Sequence, residues 1–202
     1  KSTFSKYNDV RSSRGITAAS AARQILDANG LQNIRIEHVS GDLTDHYSPN
    51  ENVIRLSDST YNSTSVAAIG VAAHECGHAV QHQVGYVPIK IRNGIVPIVN
   101  VCNTLSMPIF IIGLILGLGR LAMVGAILFG AVLVSQLVTL PTEINASRRA
   151  MKTLENMYVL EGDELTGARK TLTAAAMTYV AAVASTALQF LRLVLLANRR
   201  RD

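Results

Sequence analysis

His74, Glu75 and His78 lie within Val71-Ala72-Ala73-His74-Glu75-Cys76-Gly77-His78-Ala79-Val80, a run of small residues. On a helix, residues four apart share a face, so His74 and His78 can offer two imidazoles to one metal ion. Glu75 sits one residue round, where it can reach a water activated by the metal without being a ligand. That is the spacing of a zinc hydrolase. A pattern this short also arises by chance, but the flanks weigh against it. Apart from Glu75, no charged residue or proline interrupts Ser65 to Val84, so a helix starting near Ser63 can carry the motif unbroken.

The elements that must position this helix belong to a membrane protein. Of 202 residues, 49% are hydrophobic and 16% charged, and the mean hydropathy is +0.25. That is too apolar for an ordinary soluble domain. The net charge of +5 comes without a basic stripe interleaved with aromatics, which argues against nucleic acid as a partner. Cys76 lies in the metal helix and Cys102 at a membrane entry; they make no spaced framework, so no disulfide and no oxidising compartment is expected. The chain starts at Lys1 rather than a methionine, and a segment upstream of it is expected.

Residues 1–15 are polar and read as an arm or linker. Thr17 caps an amphipathic helix that begins at Ala18 and stops at Asn29-Gly30. Ile34 to Val39 alternates with period two, and Val53 to Ser57 is a second short strand, with the polar stretch Ser40 to Asn52 between them. This small hairpin or sheet precedes the metal helix. It serves either as an edge strand that pairs with a substrate backbone or as a plain cover on the helix. From Ile95 to Leu140 the only charge is Arg120, and the run is long enough to cross a bilayer twice. It reads as two spans, 95–118 and 121–141, with Pro97 and Pro108 as kink points. Asn100, Asn103, Thr104 and Ser106 then need partners within the bundle. Thr171 to Asn198 is long enough for a third span, the alternative being a buried helix against the hairpin. The expected organisation is a soluble part (1–94), a transmembrane hairpin (95–141), an interfacial helix and loop (142–170) and a third transmembrane helix (171–198).

A hydrolytic zinc usually takes three protein ligands and leaves one position open. His82 continues the four-residue spacing, yet one straight helix cannot wrap three side chains around a tetrahedral ion, so His82 reads as an exposed helix-end residue. The extended motif with a downstream glycine and third histidine also fails, because those positions hold Gln81 and Val84. Hairpin geometry points to Glu143. With Gly119 as the tip, Glu143 lies 24 residues after it and Ile95 24 before it, and both return to one height about 36 Å from the tip. Glu143 is the first acid after a long apolar span, where a carboxylate must be solvated or engaged. The alternatives are an acid that merely starts an interfacial helix, or ligation by Glu155, Glu161 or Glu164.

Ala72 to Ala79, the hairpin, and Leu140-Pro141-Thr142-Glu143-Ile144-Asn145-Ala146-Ser147-Arg148-Arg149-Ala150 together resemble the YugP-like neutral zinc metallopeptidases of bacterial membranes. Asp45-His46-Tyr47, Ser57-Asp58-Ser59 and Tyr179 to Ala182 are similar to that family too, so the likeness covers nearly the whole chain. More distantly, the layout resembles HtpX-type membrane proteases of the gluzincin class. The resemblance implies a zincin-like, mainly helical membrane protein in the bacterial plasma membrane, with Zn²⁺ as cofactor and a further N-terminal membrane helix ahead of Lys1. In gluzincins a carboxylate four residues after the third ligand usually orients a ligand histidine. Here that position is Ser147, so Ser147, Asn145 or another group must do the orienting.

The expected activity is zinc-dependent endopeptidase action with Glu75 as general base. His46, Tyr47 and Arg148 are candidates for stabilising the oxyanion, although the first two can simply order a turn and Arg148 can hold lipid phosphate. The rival reading is a non-catalytic membrane adaptor with a structural metal, against which Glu75 argues, since such a site has no need of a base. Expected partners are a protein or peptide substrate and the lipid bilayer; the sequence names no regulatory membrane partner. Lys90, Arg92, Arg148, Arg149, Lys152, Arg169 and Lys170 would flank the catalytic face, against Arg120, Arg199, Arg200 and Arg201 on the other. By the positive-inside rule this favours a cytoplasmic active site, while the terminal arginines argue the other way.

Overall fold

The computed structural model describes residues 2–199; Arg200 and Arg201 of the terminal basic cluster lie outside them. Elements follow in the order α1 (Ser2–Asn8), α2 (Ala18–Ala28), β1 (Arg35–His38), β2 (His46–Ser48), β3 (Val53–Leu56), α3 (Val66–Gln83), α4 (Val87–Ile115), α5 (Gly119–Asn156) and α6 (Gly162–Asn198). Two compact units result: Lys1–Tyr86 with Glu143–Ala176, and Val87–Thr142 with Met177–Asp202.

In the first unit α2 begins at Thr17, whose side chain accepts from the Ser20 N–H, and ends at Asn29. Its buried face of Ala18, Ala21, Ala22, Ile25 and Leu26 packs with the small residues Ala72, Ala73, Cys76 and Ala79 of α3 in a shared core. Ile54 and Leu56 of β3, and Ala150 and Leu154 of α5, complete that core. Small side chains on α3 allow close approach, and the Cys76 thiol lies 3.6 Å from the Ala22 carbonyl of α2. Burial pushes that thiol well above its ordinary pKa, so it is an inert core group. Both cysteines are free.

The sheet differs from a hairpin of the two predicted strands. β1 and β3 pair in parallel, Arg35 opposite Val53 through His38 opposite Leu56. A third strand, β2, forms inside the polar stretch and pairs antiparallel with β3, Tyr47 opposite Ile54, giving the order β1-β3-β2. Asp45 pins this arrangement, its two oxygens accepting from Ser57 N–H and Ser57 Oγ–H at 2.9 Å each. β2 is therefore a sheet edge. Residues 1–15 are likewise more ordered than an arm. Seven of them form α1, Arg11 bridges to Ser65, and Asn8 Oδ1 accepts from Ser65 Oγ–H at 2.9 Å. Ser65 in turn caps α3, accepting from the Ala68 N–H at 3.1 Å, a contact of a kind that contributes about 1 kcal/mol.

The second unit is built from membrane helices. Among the described residues three helices are long and apolar enough to cross a bilayer: α4, α5 and α6, of 29, 38 and 37 residues, whose 18-residue apolar stretches have mean hydropathies of 2.0, 2.3 and 1.9. Their large apolar side chains face outward, Ile98 at 66%, Ile115 at 77% and Leu188 at 70% exposed, as lipid contact requires. A turn at Gly117 joins α4 to α5. There Gly113 and Gly125 let backbones meet, because a Cβ on either would lie 2.3 Å from Ala122 N or 2.5 Å from Phe110 N. α4 stays helical through Pro97 and Pro108. Thr104 and Ser106 are satisfied by carbonyls of their own helix, those of Asn100 and Asn103 at 2.9 Å, rather than by bundle partners. At about 57 Å, α5 is far longer than a bilayer core is thick. It runs on through Pro141 without a break to Asn156, so Glu143 stands on a continuous helix.

Candidate metal centre

All the residues of the candidate centre belong to the first unit. α3 brings His74 and His78 onto one face, and α5 presents Glu143 to them. His74 Nε2 lies 3.2 Å from Glu143 Oε2, His78 Nε2 3.6 Å from the same oxygen, and the two Nε2 atoms are 3.1 Å apart. Among the described residues these three form the one cluster of histidine, cysteine or acidic ligand atoms able to share an ion. Glu155, Glu161 and Glu164 do not belong to it.

The dimensions of this triangle suit zinc. Tetrahedral zinc with bonds of about 2.0–2.1 Å has ligand–ligand edges of roughly 3.3 Å, and the three observed edges bracket that value. The donor set of two imidazoles and one carboxylate, with one corner left over, is also that of a catalytic zinc. The centre is sheltered: Glu75, His78 and Glu143 are 9%, 8% and 4% exposed. Burial raises the Glu75 carboxyl above the ordinary carboxylate range; the neighbouring His74 and His78 charges oppose this, and the Glu143 and Asp45 carboxylates add to it. For His78, burial works to lower the imidazole pKa, but its hydrogen bond to Glu143 and the nearby Glu75 charge outweigh burial and leave it raised. Carboxylates on two sides of paired imidazoles favour a cation at their centre.

Around the ligands, Ser147 Oγ lies 3.1 Å from His74 Nδ1. Glu143 and Ser147 are four residues apart on α5, so one helix face touches both nitrogens of one imidazole. Asn145 does not touch a histidine; its Oδ1 accepts from Gln81 Nε2–H at 3.0 Å and from Arg149 Nε–H at 2.8 Å. Gln81, completely buried, holds His78 through Oε1···Nδ1 at 3.0 Å. Gln81 and Arg149 carry no motif of their own; their spacing of three after His78 and four after Asn145 is the available signal.

His46 is an exposed residue of β2, its Nδ1 2.8 Å from the Thr44 carbonyl. Tyr47, next on that edge strand, packs edge-on against His82 with ring centroids 5.9 Å apart, so His82 is half-buried by Tyr47 rather than a free helix end. Burial raises the Tyr47 pKa and keeps its hydroxyl protonated. Arg148 is exposed on α5 and lines a cleft of about 470 Å³ with Ser147, Met151, Lys152, Arg169 and Leu172.

Comparison with known proteins places these residues in context. The family described as "Putative neutral zinc metallopeptidase" matches residues 1–198. The chain is 44% identical over all 202 residues to a Bacillus subtilis (strain 168) protein named "Putative membrane protease YugP", covering 90% of that protein's length. No solved structure matches it.

Proposed function

We propose that this chain, which belongs to the neutral zinc metallopeptidase family, is a membrane-bound endopeptidase that hydrolyses peptide bonds with zinc held by His74, His78 and Glu143. The observation that carries this reading is the triangle of Nε2, Nε2 and Oε2 atoms at tetrahedral edge lengths. Zinc there would polarise the scissile carbonyl and acidify the attacking water. Glu75 removes the proton from that water as it attacks, then hands it to the leaving amine. A base buried with a raised pKa is matched to this double task, since it must both take and give a proton near neutrality. The edge strand β2 offers backbone groups to an extended peptide. His46, Tyr47 and Arg148 are the candidate oxyanion donors.

The test is metal removal. Protein purified in detergent is expected to carry one zinc per chain and to cleave casein; a strong chelator removes both, and added zinc restores both. Casein cleavage that persists in stripped protein would overturn the zinc reading. A zinc-loaded protein inert toward casein and other unfolded substrates would instead be an adaptor.

The same proposal sets the catalytic residues on the cytoplasmic face of the plasma membrane, since seven cations flank that side in sequence against four on the other. Asn50 is exposed and far in sequence from the membrane helices. A cysteine there, on a Cys102→Ser background, is expected to react with a membrane-impermeant maleimide only after cells are permeabilised. Labelling of intact cells reverses the orientation.

A further inference from the structure

We propose that Arg149, Asn145 and Gln81 form a hydrogen-bonded relay that fixes the tautomer of His78, so that its Nε2 lone pair faces the metal position. The inference rests on the zinc reading above and extends it to positioning residues. Its logic starts at the one member that cannot change role. A guanidinium only donates, so the Asn145 atom 2.8 Å from Arg149 Nε must be the carbonyl oxygen. That same oxygen is 3.0 Å from the Gln81 side chain, which must therefore present its NH₂ group there. The other end of the Gln81 amide is then its oxygen, and it lies 3.0 Å from His78 Nδ1. An amide oxygen only accepts, so Nδ1 must carry the hydrogen. With the proton held on Nδ1, Nε2 is the nitrogen left to bind a metal, and it is this atom that faces Glu143 and His74.

The relay matters because either neutral tautomer of a free imidazole is accessible, and only one presents Nε2 as a ligand. His74 has a different arrangement: its Nδ1 meets the Ser147 hydroxyl, which can donate or accept and so does not choose a tautomer. The two ligand histidines are thus held unequally. His78 is set through three side chains drawn from α3 and α5, whereas His74 is only located. Gln81 is buried without exposure and Arg149 stacks near the Tyr86 ring at 6.0 Å, so both ends of the relay are anchored.

The experiment uses the full chain in detergent with ¹⁵N-labelled histidine, and reads the His78 ring-nitrogen shifts of the metal-free protein together with zinc affinity by chelator competition. Wild type is expected to keep a proton on His78 Nδ1, whether or not Nε2 also shares one with Glu143. In Gln81→Leu the acceptor is gone, so the tautomers should mix and zinc affinity should fall by roughly 10–100-fold. Gln81→Glu keeps an acceptor toward Nδ1 but loses the NH₂ that donates to Asn145, so it should hold the proton on Nδ1 while recovering only part of the affinity, which a purely packing role would not predict. Arg149→Met keeps the stem and removes the defining donor; it tests the relay even where Gln81→Leu fails to fold, and should show mixed tautomers with unchanged helicity. A His78 Nδ1 without its proton in wild type, or a fully protonated Nδ1 with wild-type zinc affinity in Arg149→Met, overturns the relay. A wild type that shows the Nδ1–H form but binds no zinc leaves the relay standing and sinks the zinc reading instead.

Discussion

Glu75→Gln is expected to lower casein turnover by about 10²–10⁴-fold, the usual contribution of a positioned general base, while the protein still binds one zinc. The variant separates chemistry from architecture. Glutamine has nearly the shape of glutamate, and Glu75 is not a corner of the ligand triangle formed by His74, His78 and Glu143. Replacement therefore removes the ability to accept a proton without removing a ligand. The pH profile gives a second readout. The base acts only when deprotonated, and burial holds Glu75 above the ordinary carboxylate range. As pH falls through the pKa of Glu75 the fraction of active base falls with it, so kcat/KM in wild type should drop along an acid limb. In Glu75→Gln the residual rate should lack this limb. Turnover within threefold of wild type, at equal zinc content, would show that the proton goes elsewhere.

Much of this architecture can be read from local pattern, and the parts that cannot share a physical cause. The caps Thr17 and Asn29 are visible because capping depends on residue type at one position. The apolar run around Gly117 declares a hairpin because a bilayer demands long hydrophobic stretches. The sheet is different. β2 has three residues and no alternation to detect; it exists because β3 offers a free edge and Asp45 ties the loop to Ser57. The parallel pairing of β1 with β3 likewise depends on tertiary contact, since neighbouring strands with a polar connection look like a hairpin. α1 looks like an arm because Phe4 and Tyr7 are too few to mark an apolar face; what orders it is its tie to Ser65. Pro141 looks like a boundary, yet α5 continues through it. The Gln81–Asn145–Arg149 contacts join helices distant in sequence, and polar residues at such positions look like ordinary surface until the helices are packed.

Gly77→Ala is expected to weaken zinc binding by roughly 10–100-fold and to destabilise the metal-free protein by about 1–3 kcal/mol through overpacking. Gly77 lies between Cys76 and His78, where α3 runs against Ala146 of α5. A Cβ added there would stand 2.6 Å from the Ala146 carbonyl oxygen and 3.2 Å from the Ala146 carbonyl carbon and Cα. These are backbone atoms, so no rotamer change relieves the clash and one helix must move. Ala146 sits among Glu143, Asn145 and Ser147 on α5. A shift of that segment would displace the carboxylate corner of the triangle, the Ser147 contact to His74 and the Asn145 contact to Gln81 together. Zinc–ligand distances hold within about 0.2 Å, whereas reaching ordinary contact requires several tenths of an ångström. The sign of the stability change is diagnostic. Helix propensity by itself favours alanine over glycine by about 1 kcal/mol, so an uncrowded Gly77 would yield a stabilised variant with intact zinc affinity. Thermal unfolding of stripped protein and chelator competition for zinc measure the two quantities. A higher melting temperature with unchanged affinity would mean that α3 and α5 are held apart by something other than this contact, and that the position of Glu143 does not depend on Gly77.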